Sequence, residues 1–179
     1  DGFDPDYHLE RVGLANQTTM LSSESLEIAE MVRLALIRKH GKHGLDQRYI
    51  SFDTICSATQ DRQDAVSALL KHPDLDLMIV IGGYNSSNTW NLARLAGQQL
   101  PTYHIADASC LVSSRELRHR TVNVEKPAPH GQAAKEILTS GWLPPEKIVT
   151  IGLTAGASTP DSIVGQVIEK LELFARETT

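Results

Sequence analysis

The chain has 179 residues, 41% of them hydrophobic, and a formal net charge of -5. This content supports one sizeable core, or one whole lobe with part of another, and it argues against a disordered tail. The basic residues are scattered rather than gathered on one face, which argues against nucleic acid or an anionic membrane surface as a partner.

The sequence also bears on the compartment and on the extent of the chain. No apolar run of about 18 residues occurs, so no membrane-spanning helix is predicted. Two cysteines beside seven histidines do not resemble a secreted disulfide framework, which predicts a reducing, cytosol-like compartment. The chain opens "DGFDPDYHLERVGLANQT", with no initiator Met and no signal-peptide pattern, which indicates part of a longer polypeptide.

Strand and helix patterns alternate in the first part of the chain. "RVGLANQ" predicts a strand, and the helix that follows it ends near "KHGKHG". The predicted inner face of this helix consists of Leu26, Ala29, Val32, Ala35 and Leu36. The order then repeats, because "RYISFDTI" is strand-like, "TQDRQDAVSALLKH" is helix-like, and Pro73 closes that helix.

The same alternation continues to the end of the chain. "LDLMIVIGG" predicts a strand buried on both faces, followed by a helix in "TWNLARLAGQQL" and a strand in "TYHIAD". Residues 108–147 are polar and proline-rich and are predicted to wrap the surface with one or two helices. "KIVTIGLTAG" then predicts a strand, and "TPDSIVGQVIEKLELFA" a helix with Pro160 in its first turn. This alternation predicts an α/β fold with parallel sheets and right-handed crossovers.

Small, uncharged polar residues follow four of the predicted strands, at residues 17–19, 56–59, 82–88 and 154–159. Ligands bind at the carboxyl ends of the strands in sheets of this kind. Glycine backbone, free N–H groups and helix dipoles attract anions, and none of the four stretches contains Lys or Arg. The loops therefore predict a phosphate or diphosphate that is held mostly by neutral donors.

Helix capping is the competing explanation for these loops. Ser, Thr and Asn are favoured N-caps, so a single strand-to-helix loop of this composition is explained by capping alone. Four such loops favour a shared ligand, but the composition does not separate the two explanations.

Cys56 ends a predicted strand and precedes Ser57 or Thr59, the predicted N-cap. A sulfur near the positive end of a helix is stabilised as a thiolate, which makes Cys56 a candidate ligand or nucleophile. The alternative is a small buried core residue, because free cysteine is among the most buried residue types. His43 and His72 flank predicted helix ends, and neither is placed to serve as its base. Nothing in the sequence around Cys110 indicates chemistry.

Four motifs, taken together, resemble one known family. "NQTTM", "DTICSATQDRQDAV", "IVIGGYNSSNTWNLARLA" and "TIGLTAGASTPDSIV" are similar, in order and spacing, to motifs of the 4-hydroxy-3-methylbut-2-enyl diphosphate reductases, the LytB or IspH family. The resemblance runs along nearly the whole chain. "GFDPDYHLERVGLANQTTML", "KHGLDQRYISFDTIC" and "GGYNSSNT" are closer to the longer plant and cyanobacterial type than to the short enterobacterial type.

The resemblance implies a reductive dehydroxylase of isoprenoid biosynthesis by the methylerythritol phosphate pathway. Such enzymes remove the allylic hydroxyl of their substrate with two electrons and two protons, giving isopentenyl and dimethylallyl diphosphates. A [4Fe–4S] cluster held by three cysteines carries this chemistry, and Cys56 matches the third cysteine. Thr18 matches the residue that contacts the substrate hydroxyl and assists proton delivery, with Gln17 and Thr19 beside it. The positions that match the diphosphate contacts are Ser86, Ser87, Asn88 and Ser158.

The resemblance also implies that parts of the family pattern lie outside this sequence. The first two cluster cysteines, the histidines that hold the diphosphate and the glutamate that donates protons have no match here. The family folds as three similar α/β lobes round the cluster. A C-terminal fragment is therefore expected, with residues 1–52 completing the middle lobe, residues 53–170 forming the third lobe, and residues 171–179 ending the last helix.

The expected partners are a small diphosphate substrate and an electron donor such as ferredoxin or flavodoxin. The expected location is the bacterial cytoplasm, or the plastid stroma of a plant or alga. Two alternatives remain from other classes. One is a non-redox module that binds diphosphate or another anion and uses Cys56 for packing. The other is a thiol hydrolase acting on phosphates, which lacks a base near Cys56.

Overall fold

The computed structural model describes residues 2–122, 135–144 and 148–177. It divides into two compact units, Asp1–Gln60 and Asp61–Thr179, so the division falls within the helix Ser57–Leu69. The lobe boundary expected at residue 52 remains a prediction.

Unit 1 is built on a pair of parallel strands. Its elements are α1 (Pro5–His8), β1 (Val12–Ala15), α2 (Ser22–His40), a 3-10 helix (Leu45–Gln47), β2 (Tyr49–Phe52) and the first turn of α3 (Ser57–Leu69). Strands β1 and β2 run parallel, with Ala15 opposite Phe52. Parallel neighbours need a long crossover connection, which α2 supplies, so the predicted strand, helix, strand order is confirmed.

Helix α2 buries the centre of the predicted face but not its edges. Leu36 is buried as predicted, but the side chain of Leu26 is 66% exposed and Ala35 is exposed too. Leu21 and Ser25 are buried instead, one helical turn apart on the stripe that includes Leu36. The predicted Ala29 and Val32 lie on this same stripe and are half-buried, so the period of 3.6 identified the buried stripe but not its width.

Unit 2 contains a three-stranded parallel sheet in the order β4-β3-β7 and an antiparallel strand pair. Its elements after α3 are β3 (Leu77–Ile81), α4 (Ser87–Gly97), β4 (Thr102–Ile105), a 3-10 helix (Ala108–Cys110), β5 (Glu116–His119), β6 (Ile137–Ser140), β7 (Ile151–Ala155) and α5 (Asp161–Glu177). The predicted parallel α/β class is confirmed. No helix in the described ranges is both long and apolar enough to cross a membrane.

Strand β3 is buried along its whole length, as its continuous apolar sequence predicted. Ile79 and Ile81 pack in one apolar cluster with Val167 of α5, whereas Met78 and Val80 pack in a second cluster against α3 and α4. Alternate side chains of a strand point to opposite faces, so β3 lies between two layers of helices. This burial fixes the position of the loop that leaves its carboxyl end.

The prediction of one or two helices in residues 108–147 is wrong for the part of that segment that is described. It contains a three-residue 3-10 helix and the antiparallel pair β5–β6, with Glu116 opposite Ser140. Arg120, just after β5, forms an antiparallel bridge with His104 of β4. These strands are short and mostly polar, and they pair across a long separation in sequence, so local patterns gave no strand signal.

Thr89 of α4 explains two glycines at the carboxyl edge of the sheet. Its side chain is fully buried, and a Cβ on Gly82 would lie 2.8 Å from its Oγ1. A Cβ on Gly156 would overlap the same Oγ1. Gly82 also has a φ of 145°, which L side chains rarely adopt. The glycines of these loops therefore serve packing against α4, whatever else they do.

We expect Gly156→Ala to destabilise unit 2 by about 1–3 kcal/mol, because the β-branched Thr89 on a buried helix face cannot move aside. Gly165→Ala in α5 is the matched control, since a Cβ there meets nothing within 4 Å. It should raise the free energy of unfolding by up to about 1 kcal/mol. Urea denaturation followed by tryptophan fluorescence reports on unit 2, where both tryptophans, Trp90 and Trp142, lie. Equal midpoints for the two variants would contradict the packing argument.

Candidate functional site

Two of the predicted ligand loops leave the same edge of the sheet in unit 2. Strands β3 and β7 are parallel neighbours, with Ile81 opposite Ala155 at their last residues. The N–H of Gly156 donates to the carbonyl of Ile81 over 2.9 Å. The Oγ1 of Thr159 donates to the same carbonyl over 3.2 Å. The structure thus brings residues 82–88 and 154–159 together at the carboxyl ends of neighbouring parallel strands.

Asn88 joins the two loops and retains a donor. Its Oδ1 accepts a hydrogen bond of 3.1 Å from the N–H of Ala157. The residue is 5% exposed, and its buried Nδ2 has no hydrogen-bond partner among the residues that the structure describes. A buried polar group without a partner costs about 1–3 kcal/mol, so native proteins rarely leave one without a bound acceptor. The amide of Asn88 is therefore the strongest structural indication of a ligand in unit 2.

Ser86, and not Asn88, caps helix α4. The Oγ of Ser86 accepts from the N–H of Thr89 over 3.3 Å, and the helix begins at Ser87. Capping uses a lone pair of the Ser86 oxygen and leaves its hydroxyl proton available to a ligand. Ser87 is half-buried in the first turn, and Ser158 is exposed next to Ala157. Capping accounts for Ser86 but leaves Asn88 unexplained.

In unit 1, Thr54 ties together the loops that follow β1 and β2. Its Oγ1 lies within hydrogen-bond distance of both the N–H and the carbonyl of Asn16. The Thr54 hydroxyl donates a hydrogen bond to the carbonyl of Asn16, and the N–H of Asn16 donates one to the Oγ1 of Thr54. Gln17 and Thr18, which follow directly, are exposed, and Thr19 is half-buried. Sequence analysis missed Thr54, although a hydroxyl residue just beyond a strand was a visible signal.

Cys56 stands at the N-terminus of α3, and it occupies the capping position that was predicted for Ser57 or Thr59. Its carbonyl accepts from the N–H groups of Thr59 and Gln60, each over 3.0 Å, so the first helical hydrogen bonds begin at Cys56. The predicted cap was wrong by one residue or more, because the helix starts at Ser57 immediately after the thiol.

The surroundings of Cys56 favour the thiolate. Its Sγ lies 2.9 Å from the Oγ1 of Thr59. Hydrogen bonds from the side chain and the backbone of Thr59 lower the pKa of the thiol below its usual value. Cys56 is exposed, whereas Cys110 is buried in the core of unit 2. An exposed, acidified thiol is suited to bind a soft metal or to act as a nucleophile, and it does not serve core packing.

Within the described residues, no group of three or more His, Cys, Asp or Glu side chains is arranged to hold a metal ion. Each unit has one feature of chemical interest. Unit 2 offers neutral amide and hydroxyl donors where two parallel strands end, and unit 1 offers an exposed cysteine with a lowered thiol pKa at a helix N-terminus. These features define the class as a parallel α/β protein with uncharged donors at the strand ends of one unit and an exposed cysteine at a helix N-terminus of the other.

Comparison with known proteins identifies the family within this class. The family model of the LytB protein matches residues 3–172. The chain therefore belongs to the LytB family, as its motifs predicted.

Two cyanobacterial relatives carry the name 4-hydroxy-3-methylbut-2-enyl diphosphate reductase. The protein of a Nostoc species is 47% identical over 179 residues, which cover 99% of this chain and 41% of the relative. The Gloeobacter violaceus protein is 46% identical, over 96% of this chain and 39% of the relative. The chain thus spans well under half the length of these relatives, and the expected likeness to the cyanobacterial type is confirmed.

A solved structure shows the same fold. It is that of the E-1-hydroxy-2-methyl-but-2-enyl-4-diphosphate reductase from Plasmodium falciparum, at a TM-score of 0.52. The likeness covers 89% of this chain and 38% of that chain at 21% identity, so it bears on the fold alone.

Proposed function

We propose that this chain is the C-terminal part of a 4-hydroxy-3-methylbut-2-enyl diphosphate reductase, to which it supplies the diphosphate-binding loops and one cysteine ligand of a [4Fe–4S] cluster. Membership of the LytB family gives the reaction class, because the relatives are reductases by name. The observation that carries the proposal for this chain is the buried Nδ2 of Asn88, a donor for which the described residues offer no acceptor.

The diphosphate would be held by residues that follow β3 and β7. Asn88 would donate through Nδ2 while its Oδ1 keeps the hydrogen bond from Ala157. Ser86 and Ser87 would donate hydroxyl protons at the start of α4, where the helix dipole attracts negative charge. Ser158 would donate from the neighbouring loop. Each of these groups is uncharged, in accord with the absence of Lys and Arg from the loops.

Cys56 fits the requirements for a ligand of the cluster. A cluster ligand must be a thiolate, and Cys56 is exposed with a lowered thiol pKa. The other two cysteines would come from polypeptide outside this sequence. When bound, the cluster supplies electrons to the substrate, and an electron donor such as ferredoxin or flavodoxin would replenish them.

Thr18 would act on the hydroxyl that leaves. In the overall reaction the allylic C–O bond breaks and two electrons and two protons are taken up; one proton leaves in the water, and the other forms a new C–H bond of the product. Thr18 is exposed at the end of β1, and Thr54 fixes the chain just before it through Asn16. A hydroxyl in this position would donate a hydrogen bond to the leaving oxygen and pass a proton to it, with Gln17 and Thr19 completing the contact.

We place the protein, by the same proposal, in the cytoplasm of a bacterium or in the plastid stroma of a plant or alga. Residues 1–52 would complete a middle lobe, residues 53–170 would form a third lobe, and residues 171–179 would end its last helix. Both lobes would be of the parallel α/β type that the strand pairings show.

We expect the 179-residue chain, purified alone and supplied with iron and sulfide without oxygen, to stay colourless. A single matched thiolate cannot replace three. Visible absorption and iron analysis measure this, with the full-length protein as the control that turns brown and converts the substrate to the two products. A monomeric brown chain with stoichiometric iron would refute the one-ligand assignment. A full-length protein that forms a cluster and converts nothing would refute the function.

A further inference from the structure

The loop after β3 is held from behind by two buried side chains. The carbonyl of Gly82 lies 3.0 Å from the Nε2 of His104, and the carbonyl of Tyr84 accepts from the Nη1 of Arg120 over 2.6 Å. His104 is 1% exposed and Arg120 is 6% exposed. Neither residue belongs to the loops that the sequence analysis singled out.

These two hydrogen bonds orient the peptide groups of the loop. The described residues contain no cis peptide bond. In a trans peptide the N–H points away from the carbonyl of the preceding residue. The carbonyls of Gly82 and Tyr84 point toward His104 and Arg120. The N–H groups of the same two peptide units, which belong to the residues that follow, therefore point to the opposite side. Successive backbone N–H groups can bind an anion, and these two hydrogen bonds constrain which way such groups of the loop point.

Arg120 supplies the positive charge behind the loop. Burial lowers the pKa of His104 to about 4, so at neutral pH His104 is an uncharged donor. An arginine stays protonated even when burial lowers its pKa, as it does for Arg120. The backbone holds Arg120 in place, because its N–H donates to the carbonyl of His104 over 2.9 Å. The guanidinium is itself buried and is held by its hydrogen bond to the carbonyl of Tyr84.

We infer that Arg120 is a positioning residue for the anion site: through the carbonyl of Tyr84 it orients the loop that presents Ser86, Ser87 and Asn88. This inference rests on the proposed function, and it adds a residue from the segment after β5. Arg120 acts through the loop and does not itself contact the anion. The loop accordingly needs no cation of its own.

The test measures binding of inorganic pyrophosphate to the full-length protein by calorimetry. Arg120→Gln should weaken binding about tenfold or more, because it removes a charge-assisted hydrogen bond from the loop. Arg118→Gln is the matched control. It removes the same charge two residues earlier, in β5, where the guanidinium instead donates to the carbonyl of Ser109 and faces Glu136. It should change binding less than about twofold.

Arg120→Lys separates positioning from simple charge attraction. Lysine keeps the charge but is one atom shorter and lacks the planar fork, so it does not reach the carbonyl of Tyr84 in the same way. Positioning predicts weaker binding for this variant, together with shifted amide NMR signals of residues 83–88 in the unliganded protein. Arg118→Lys should leave both unchanged. This conservative variant also provides a test if Arg120→Gln does not fold.

Each outcome has a definite meaning. Binding and loop amide signals that are the same in Arg120→Lys as in the unsubstituted protein would overturn the inference and leave the proposed function intact. Failure of the unsubstituted protein to bind pyrophosphate would overturn the proposed function, and the inference with it. Weakened binding with shifted loop signals, confined to the Arg120 variants, supports the inference.

Discussion

Cys56→Ser in the full-length protein is expected to reduce iron content and turnover to background without loss of stability. A serine oxygen is a poor ligand for a soft cluster, so the removal of one of three ligands abolishes the chemistry. Cys56 is exposed and stands at the capping position of α3. Serine is among the favoured N-caps, so the melting temperature should stay level or rise slightly. Iron analysis, a turnover assay and a melting curve on one preparation measure all three quantities.

Cys110→Ala is the control for Cys56→Ser, and the opposite pattern is expected. Cys110 is 2% exposed in the core cluster of unit 2. Loss of its sulfur leaves a small cavity, which costs on the order of 1 kcal/mol of stability and leaves iron content unchanged. If both variants kept their iron, Cys56 would not be a ligand. If both lost stability equally, Cys56 would be a packing residue.

Asn88→Asp is expected to weaken pyrophosphate binding by a hundredfold or more. The second carboxylate oxygen would replace Nδ2 and place a negative charge beside the diphosphate. At about 4 Å and an effective dielectric near 20, the repulsion is on the order of several kcal/mol. Asn→Asp is nearly isosteric, and the remaining oxygen keeps the hydrogen bond from Ala157. Calorimetry on the full-length variant measures the affinity, and a melting curve measures stability.

The control for Asn88→Asp is Asn85→Asp, the same charge change in the same loop. Asn85 is exposed, whereas Asn88 is buried. An added charge at an exposed position is screened by water and salt, so Asn85→Asp should cost no more than a few-fold in affinity. For Asn88→Asp, the helix dipole at the start of α4 offsets part of the cost of burying the new carboxylate. The free energy of unfolding of that variant should therefore change by less than about 1 kcal/mol. Equal affinities for the two variants would remove Asn88 from the diphosphate site.

Regular secondary structure was predictable from the sequence wherever local pattern and burial agree. Strand β3 has five consecutive apolar residues and is buried on both faces, so its pattern had one interpretation. The order of strands and helices around it followed in the same way. Helix α2 shows the limit, because Leu36 on its predicted face is buried whereas Leu26 at the edge of that face is exposed. The packing around a helix determines how wide its buried face is, and those contacts are not local in sequence.

The strand pair β5–β6 was missed for a related reason. "ELRH" and "ILTS" are short, and their pairing closes a separation of about twenty residues that no local propensity records. That omission also hid Arg120, because its contact with Tyr84 depends on where β5 returns beside β4. A basic residue in a polar segment carries no sign that it will be buried.

The location of the candidate site was predictable, but its internal connections were not. Strand ends and loop composition indicated the two loops of unit 2 and the thiol of unit 1. The hydrogen bond between Asn88 and Ala157, which leaves Nδ2 as the remaining donor, depends on the register of β3 and β7. That register follows from packing on both faces of the sheet. Capping and binding were inseparable in the sequence, whereas the structure shows that Ser86 caps α4 and that Asn88 has no capping role.

The neutral loops of unit 2 bear on how the enzyme would turn over. Under the proposed function, the substrate and both products carry the same diphosphate, so this group is bound equally strongly before and after the reaction. Such uniform binding does not accelerate the chemical step, and very tight binding of the diphosphate slows product release. In the part of the diphosphate site that this chain would supply, amide and hydroxyl donors without Lys or Arg would orient the diphosphate and still release it readily. The composition of these loops thus favours exchange of product for substrate over maximal affinity.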